Sequence, residues 1–268
     1  VNVKTSDSLA AKQEKEQHWL GIIHEMIKYC PEALTTCLQS KGEFALHIAA
    51  KSRWPAVTSL VLEAFPEAAS KCDIDGKVPC FTACQQGSTG AVVVLLTQNP
   101  AAAAQKTKRT KLPIHAAISR TDIDPVMIDA LLKAYPDGAK TTTGEGSQKL
   151  PLHLIFSNSL PPPPEIICAL LQVYSGAAQE VDYKSRLPFL HALNYSTSEL
   201  QGSSIHAEAA VASATSILEV YPKAAQQVTS NQLPLFTALD QYKSDPALLQ
   251  LTLNAYPAAA KIAGGEKK

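Results

Sequence analysis

In "PAVTSLVLEAFP" (55–66) apolar residues return every three or four positions, and the same rhythm fills "DPVMIDALLKAYP" (124–136) and "DPALLQLTLNAYP" (245–257). That period lines one stripe of an α-helix. Each of these predicted helices stops at an aromatic residue followed by proline, since the residue before a proline is steered away from helical dihedrals. Between them lies a shorter element that opens on proline and continues with apolar residues and alanine, as in "LPIHAA" (112–117) and "LPLHLI" (150–155). Proline has its φ pre-set and no N–H to lose, so it suits a first helical turn. The chain therefore reads as pairs: a short helix A opened by proline, then a longer helix B closed by aromatic-proline.

The pairs repeat. The aromatic-proline element appears as "YCPEAL" (29–34), "FPEAAS" (65–70), "NPAAAA" (99–104), "YPDGAK" (135–140), "YSGAAQ" (174–179), "YPKAAQ" (221–226) and "YPAAAK" (256–261). The helix A element falls between successive copies as "FALHIA" (44–49), "VPCFTA" (78–83), "LPIHAA", "LPLHLI", "LPFLHA" (187–192) and "LPLFTA" (233–238). From the first element to the next helix A the spacing stays within 12–15 residues, whereas the return step is 21–24 residues except for one of 34, where "NYSTSELQGSSIHAEAAVASA" (194–214) is inserted. Insertions confined to one loop position are expected when every unit must stack on its neighbours elsewhere.

One helix pair cannot bury its own stripe, so stacking must do it. The expected fold is all-α: an elongated α-solenoid of about six to seven stacked helix-pair repeats, with little or no β-hairpin in the connecting fingers. A single domain is expected over 18–262, with 1–17 as an N-terminal extension or cap and 263–268 as a polar C-terminal tail. Trp19, Ile22, Ile23, Met26 and Ile27 would supply the first B stripe. The Ala-rich residues after each aromatic-proline are expected to start a further short helical turn, and the aromatic column Tyr29, Phe65, Tyr135, Tyr174, Tyr221 and Tyr256 is expected in the core.

At its helix A element the chain resembles the ankyrin repeat, whose T-P-L-H-x-A opens the first of two antiparallel helices at a period of about 33 residues. "LPIHAA" and "LPLHLI" match best, and "CDIDGKVP" (72–79) is similar to the polar finger that precedes that motif. The resemblance spans roughly 18–262 and implies a non-catalytic module that binds another protein. The pattern departs in two places. Phe44, Val78, Leu112, Leu150, Leu187 and Leu233 replace the capping threonine, and aromatic-proline replaces the Gly-Ala that usually ends the second helix.

Bulk properties narrow the partners further. Lys+Arg and Asp+Glu stand at 24 each, so no overall field selects nucleic acid or an anionic membrane. The longest apolar run, "GAVVVLLTQNPAAAA" (90–104), is broken by polar residues and is too short for a bilayer span. The first residues lack the apolar core of a secretory signal, although a segment removed earlier would leave no trace, and the expected compartment is intracellular, cytoplasmic or organellar. Cys30, Cys37, Cys72, Cys80, Cys84 and Cys168 form no CxxC pair and are expected as buried thiols.

Candidate chemistry is sparse. His47, His115 and His153 share one repeat position, but histidines a helix-pair spacing of ~10 Å apart cannot share a metal; bridging backbone between repeats is the expected role. "HAE" (206–208) and "PCFTAC" (79–84) match fragments of a zinc-deaminase signature with the wrong cysteine spacing and reversed order. No phosphate loop, GxSxG or HExxH motif is present. "SLPPPPE" (159–165) reads as a stiff polyproline loop. For partner binding the candidates are Lys106, Lys108, Arg109 and Lys111 in the finger "KTKRTK", and Trp54, which no other repeat carries. Tyr135, Tyr221 and Tyr256, with the three histidines, are read as structural repeat positions. The expectation is a protein-protein interaction scaffold without enzyme activity, cofactor or metal, whose partner is another protein or multiprotein complex rather than nucleic acid or a small molecule. The alternative is a fixed subunit of a larger assembly.

Overall fold

The computed structural model describes residues 3–38, 40–52, 54–144, 146–158, 162–195, 204–228, 233–240 and 246–261. Parts of the polyproline loop (159–161), of the long insertion (196–203) and the C-terminal tail lie outside them. The chain forms two compact units, Val1–Pro113 and Ile114–Lys268.

In the first unit α1 (Val3–Tyr29) is one continuous helix that takes in residues 3–17, expected as an N-terminal extension or cap. A single turn α2 (Glu32–Thr35) follows, then a hairpin of two-residue strands, β1 (Cys37–Leu38) and β2 (Glu43–Phe44), paired antiparallel. The A/B pairs are α3 (Ala45–Lys51) with α4 (Pro55–Ala64) and α5 (Pro79–Gln86) with α6 (Thr89–Gln98). Like helices stack on like: α3 packs on α5, α4 on α6, and α1 on α4. Gly90 is required by this packing, since a Cβ there would stand 2.2 Å from Pro55 Cγ.

The second unit repeats the scheme. Its A helices are α7 (Pro113–Ile118), α9 (Pro151–Leu154), α11 (Pro188–Tyr195) and α13 (Pro234–Asp240); its B helices are α8 (Pro125–Ala134), α10 (Pro164–Val173), α12 (Ser204–Val220) and α14 (Pro246–Ala255). Here α8 packs on α10, α10 on α12 and α12 on α14. Much of the 194–214 insertion is helix rather than loop, because it extends the N-terminal end of α12. Both units are thus built as an all-α repeat solenoid is built.

The B helices α4, α8 and α10 bury the same four positions: Val57, Thr58, Val61 and Leu62 on α4, Met127, Ile128, Leu131 and Leu132 on α8, Ile166, Ile167, Leu170 and Leu171 on α10. Each large side chain so buried contributes roughly 1.5–3 kcal/mol. Aligning Tyr29 with Phe65 puts Gly21, Ile22, Glu25 and Met26 of α1 at those positions, and all four are exposed. The expectation that α1 carries a buried stripe is therefore corrected: Trp19 is 49% and Met26 64% exposed, while Ile23 and Ile27 are half-buried.

The B helices α4, α8 and α12 end on aromatic-proline, while α6 ends on Asn99-Pro100 and α10 on Tyr174-Ser175. At Phe65, Tyr135, Tyr174 and Tyr221 the backbone turns to φ between −136° and −146°, and the proline or serine that follows opens a 3-10 turn. The aromatic column is not the core element expected, because Tyr29 is 76% exposed and Tyr135, Tyr174, Tyr221 and Tyr256 are half-buried. The small residues two and three places after the proline position are the buried ones, as in Ala68–Ala69 and Ala177–Ala178. Only residues this small let the 3-10 turn lie close against its neighbours. The cysteine expectation changes too: Cys80 and Cys84 are buried, but Cys30, Cys37, Cys72 and Cys168 are exposed.

Candidate interaction surface

Three of the fingers between B and A helices share one closure. In finger 2 (71–78) the Asp73 N–H donates to the Lys77 carbonyl at 2.9 Å, and the Lys77 N–H donates back to Asp73 Oδ1 at 2.8 Å. Finger 3 (105–112) repeats this with Thr107 and Lys111, and finger 5 (179–187) with Asp182 and Arg186. Asp and Thr serve alike because both side chains can accept from backbone N–H groups a few residues on. The penultimate residue must then be left-handed: Gly76 at φ 77°, Thr110 at 59°, Ser185 at 56°.

Backbone bonds also hold neighbouring fingers in register. The Ile74 N–H donates to the Lys41 carbonyl at 3.0 Å, and the Lys108 N–H to the Asp75 carbonyl at 2.9 Å. This approach is close enough that a Cβ on Gly76 would stand 3.0 Å from Lys108 N, so Gly76 serves both its φ and the contact.

Two clefts open between these fingers and α5. The one between finger 1, the β1–β2 hairpin, and finger 2, of about 300 Å³, brings Lys41, Lys51 and Lys77 against Glu43, Asp73 and Asp75. The other, between fingers 2 and 3 and of about 390 Å³, has Lys77, Lys108, Arg109 and Lys111 around Asp75, with Gln85 and Phe81 of α5 completing its wall. In the first cleft Lys51 Nζ donates to Glu43 Oε1 at 2.6 Å, a bond that holds the Glu43 carboxyl below its usual range. In the second, Asp75 bonds Lys77 at 2.8 Å. Its carboxyl is also held low, first by that hydrogen bond and the charge of Lys77, then against a slight desolvation by the charges of Arg109 and Lys108.

Of the residues singled out from the sequence, Lys108, Arg109 and Lys111 thus meet in one cleft. Lys106 is exposed in the same finger and does not line it. Trp54 stands apart: it is half-buried at the N-terminus of α4, where the Ser52 hydroxyl donates to its carbonyl at 3.2 Å.

The histidines lie on the opposite side of this closure, within the A helices. His47 Nδ1 accepts from the Phe44 N–H at 3.2 Å, so the third residue of the helix caps its start where the hydroxyl is missing. Its Nε2–H then donates to the Lys77 carbonyl of the next finger at 2.9 Å. His115 Nε2 reaches the Thr141 carbonyl at 2.9 Å in the same way. Burial keeps the His47 ring below its ordinary value.

His153 also accepts from its own cap, the Leu150 N–H, at 3.2 Å, but its buried Nε2 has no hydrogen-bond partner. Beside it stands His191, with ring centroids 5.4 Å apart and edge to face. His191 Nε2–H donates to Asp182 Oδ2 at 3.0 Å, and Arg186 donates to the same oxygen through Nε at 3.0 Å and Nη2 at 2.7 Å. Burial first, then the neighbouring ring of His191 for His153 and the Arg186 charge for His191, pushes each down to about 4. Against the upward pull of burial, the Arg186 and Lys184 hydrogen bonds hold the Asp182 carboxyl well below the carboxylate range. Sequence reasoning missed this cluster. Its signals were the Asp182-to-Arg186 spacing, which repeats Asp73-to-Lys77, and a histidine one place late in "LPFLHA".

Among the described residues no group of three His, Cys, Asp or Glu could hold a metal ion, and no helix is long and apolar enough to cross a membrane. The sequence matches no protein-family model and no curated protein. Solved structures do match. The ankyrin repeat domain of Bcl-3, a member of the IkappaB protein family, aligns at TM-score 0.59 and 18% identity over 80% of this chain and 87% of that one. A chain from the Bd0816 predatory endopeptidase of Bdellovibrio bacteriovorus in complex with immunity protein Bd3460 aligns at 0.59 and 15% over 77% and 97%. Identity this low shows a shared fold alone.

Proposed function

We propose that this chain, whose fold is the ankyrin-repeat-like helical repeat, is a protein-interaction scaffold that binds its partner on the fingers and the A-helix side chains beside them. The observation that carries this reading is the registered finger row of the first unit. Backbone bonds fix Lys41, Ile74, Asp75 and Lys108 relative to one another, and a surface held in place before contact gives up less freedom on binding. Exposed Leu38, Ile48 and Ile74 add apolar area within the same two repeats. In these clefts Glu43 pairs with Lys51 and Asp75 with Lys77, an arrangement that serves recognition better than proton transfer.

Affinity capture from native extract tests the reading. The chain is compared with an Ile48→Asp/Ile74→Asp variant, whose exposed positions leave the fold intact by circular dichroism. Loss of one protein from the captured set with the variant supports the finger surface; an unchanged set removes it.

A second reading, a permanently covered subunit of a larger assembly, is favoured by the exposed stripe of α1, where Trp19, Met26 and Tyr29 lie open. Size-exclusion chromatography separates the two. A stable monomer at high concentration supports the scaffold, and persistent aggregation relieved by Trp19→Ser/Met26→Glu supports the subunit.

A further inference from the structure

We propose that finger 5 is an acid-released latch: protons entering the His153–His191 pair detach it from α9 and α11, and the exposed Val181 and Tyr183 at its tip lose their fixed position. A contact made through this finger is then available at neutral pH and withdrawn in acid. Asp182 holds the finger shut. Its side chain is fully buried and both oxygens are spent: Oδ1 accepts the Lys184 and Arg186 N–H groups at 2.9 and 3.0 Å, and Oδ2 accepts from the Arg186 side chain and from His191 Nε2–H. With the Asp182, Tyr183 and Ser185 N–H groups donating to carbonyls, every backbone N–H from 182 to 186 is bonded.

His153 has no room for a second ring proton. Its Nδ1 is committed to the Leu150 N–H that caps the single turn of α9, so a proton there would set donor against donor. Its buried Nε2 has no hydrogen-bond partner. Charge is not balanced either, since Arg186 already occupies Asp182 and two charged rings would place three cations around one buried carboxylate. Lys149 of finger 4 adds to the repulsion at His191. The remaining charged groups of the surrounding elements face elsewhere: Asp137 pairs with Lys140, Glu180 takes the Tyr174 hydroxyl, Lys184 stands over the Tyr183 ring, and Glu165, Glu208 and Glu219 are exposed. The Arg186 and Glu180 carbonyls favour a proton on His153, but burial outweighs them. His47 differs in having the Lys77 carbonyl on Nε2 and the charges of both Asp73 and Glu43 in its favour.

Amide hydrogen exchange of the full chain at pH 7 and pH 5, corrected for intrinsic rates, tests the latch. The N–H groups of 182–186 should exchange about twentyfold faster or more at pH 5, the linkage of one ring near 4 against an ordinary 6.5. The Thr107–Lys111 closure of finger 3, where α5 carries Phe81 at the place of His153 in α9, should change little. His153→Leu/His191→Gln, which keeps a donor for Asp182 and removes both titrating rings, should stay closed at both pH values. Equal protection of 182–186 at the two pH values, equal loosening of finger 3, or acid loosening of the double variant each overturns the proposal. If the double variant is already open at pH 7, NMR of the ring resonances in the unaltered chain decides. Rings that take up protons as the finger amides open support the latch; a ring charged at pH 7, or one that titrates with the finger closed, overturns it.

Discussion

His47 and His153 occupy the same place, the third residue of a helix A, and each caps its helix by accepting the N–H three residues back. They differ in what the next finger offers. Finger 2 presents the Lys77 carbonyl to His47, which completes a neutral ring with both nitrogens bonded. Finger 5 instead turns in the Asp182 carboxylate, which is occupied by Arg186 and His191, and His153 Nε2 is left buried without completing a hydrogen bond. The carbonyls of Arg186 and Glu180 pull upward on its protonation, but burial and the neighbouring His191 prevail. One repeat is thus closed by a backbone bond, the other by a charged cluster that depends on two rings staying neutral.

The largest expected effect tests what both repeats share. Leu152, next to His153, is fully buried. Leu152→Asp should cost about 4 kcal/mol or more by burying an unpaired charge, read from urea denaturation; a loss of a few tenths would show that helix A is not core.

Acid should then separate the two repeats. His153 and His191 have folded values near 4 against an ordinary 6.5. Folding therefore favours the neutral rings, and their contribution is complete above pH 6.5 and is lost as pH falls toward 4. At pH 5 linkage puts the loss at roughly 2 kcal/mol per ring. Amide exchange at pH 7 and pH 5, corrected for intrinsic rates, should show finger 5 loosening while finger 2 changes less. Equal loosening of both would break the comparison.

The single histidine substitutions are expected to be smaller and unequal. His47→Ala removes two hydrogen bonds, taking from the Phe44 N–H its capping acceptor and from the Lys77 carbonyl one of its two donors, a cost of about 2 kcal/mol. His153→Leu removes one bond together with an orphaned donor and should cost under about 1 kcal/mol. The reverse order in thermal melts would contradict the assignment of partners.

The smallest single effect lies among the left-handed residues. Gly76→Ala should destabilise by about 1–2 kcal/mol, from its positive φ and the crowding against Lys108 N. Ser185→Gly should stabilise by a few tenths, because relief at φ 56° is partly offset by the freedom glycine gains in the unfolded chain.

The pattern of apolar positions was enough to read the helix pairs and their ends, since period and proline act within a few residues: Pro55–Ala64 and Pro125–Ala134 end where the aromatic-proline elements stand. Burial at the chain's first helix was not legible. Ile22 and Met26 carry the right period on α1, but period states which residues share a face and not whether anything covers it. The aromatic column misled for a related reason, because repetition marks a position without saying whether the ring or the alanines after it are inside. At the candidate surface the basic finger was visible as "KTKRTK", whereas its opposition to Asp75, Lys77 and Gln85 depends on a fold that brings residues some thirty positions apart together. The fate of each histidine depends likewise on a finger that follows tens of residues later.

The most direct measurement is a hydrogen-exchange footprint of the chain alone and in complex with the protein it captures. The scaffold reading predicts slowed exchange in fingers 1 to 3, across 38–44, 73–77 and 107–111, and in the exposed turns of α3 and α5. Protection confined to the B helices or to α1, with the fingers unchanged, would contradict it.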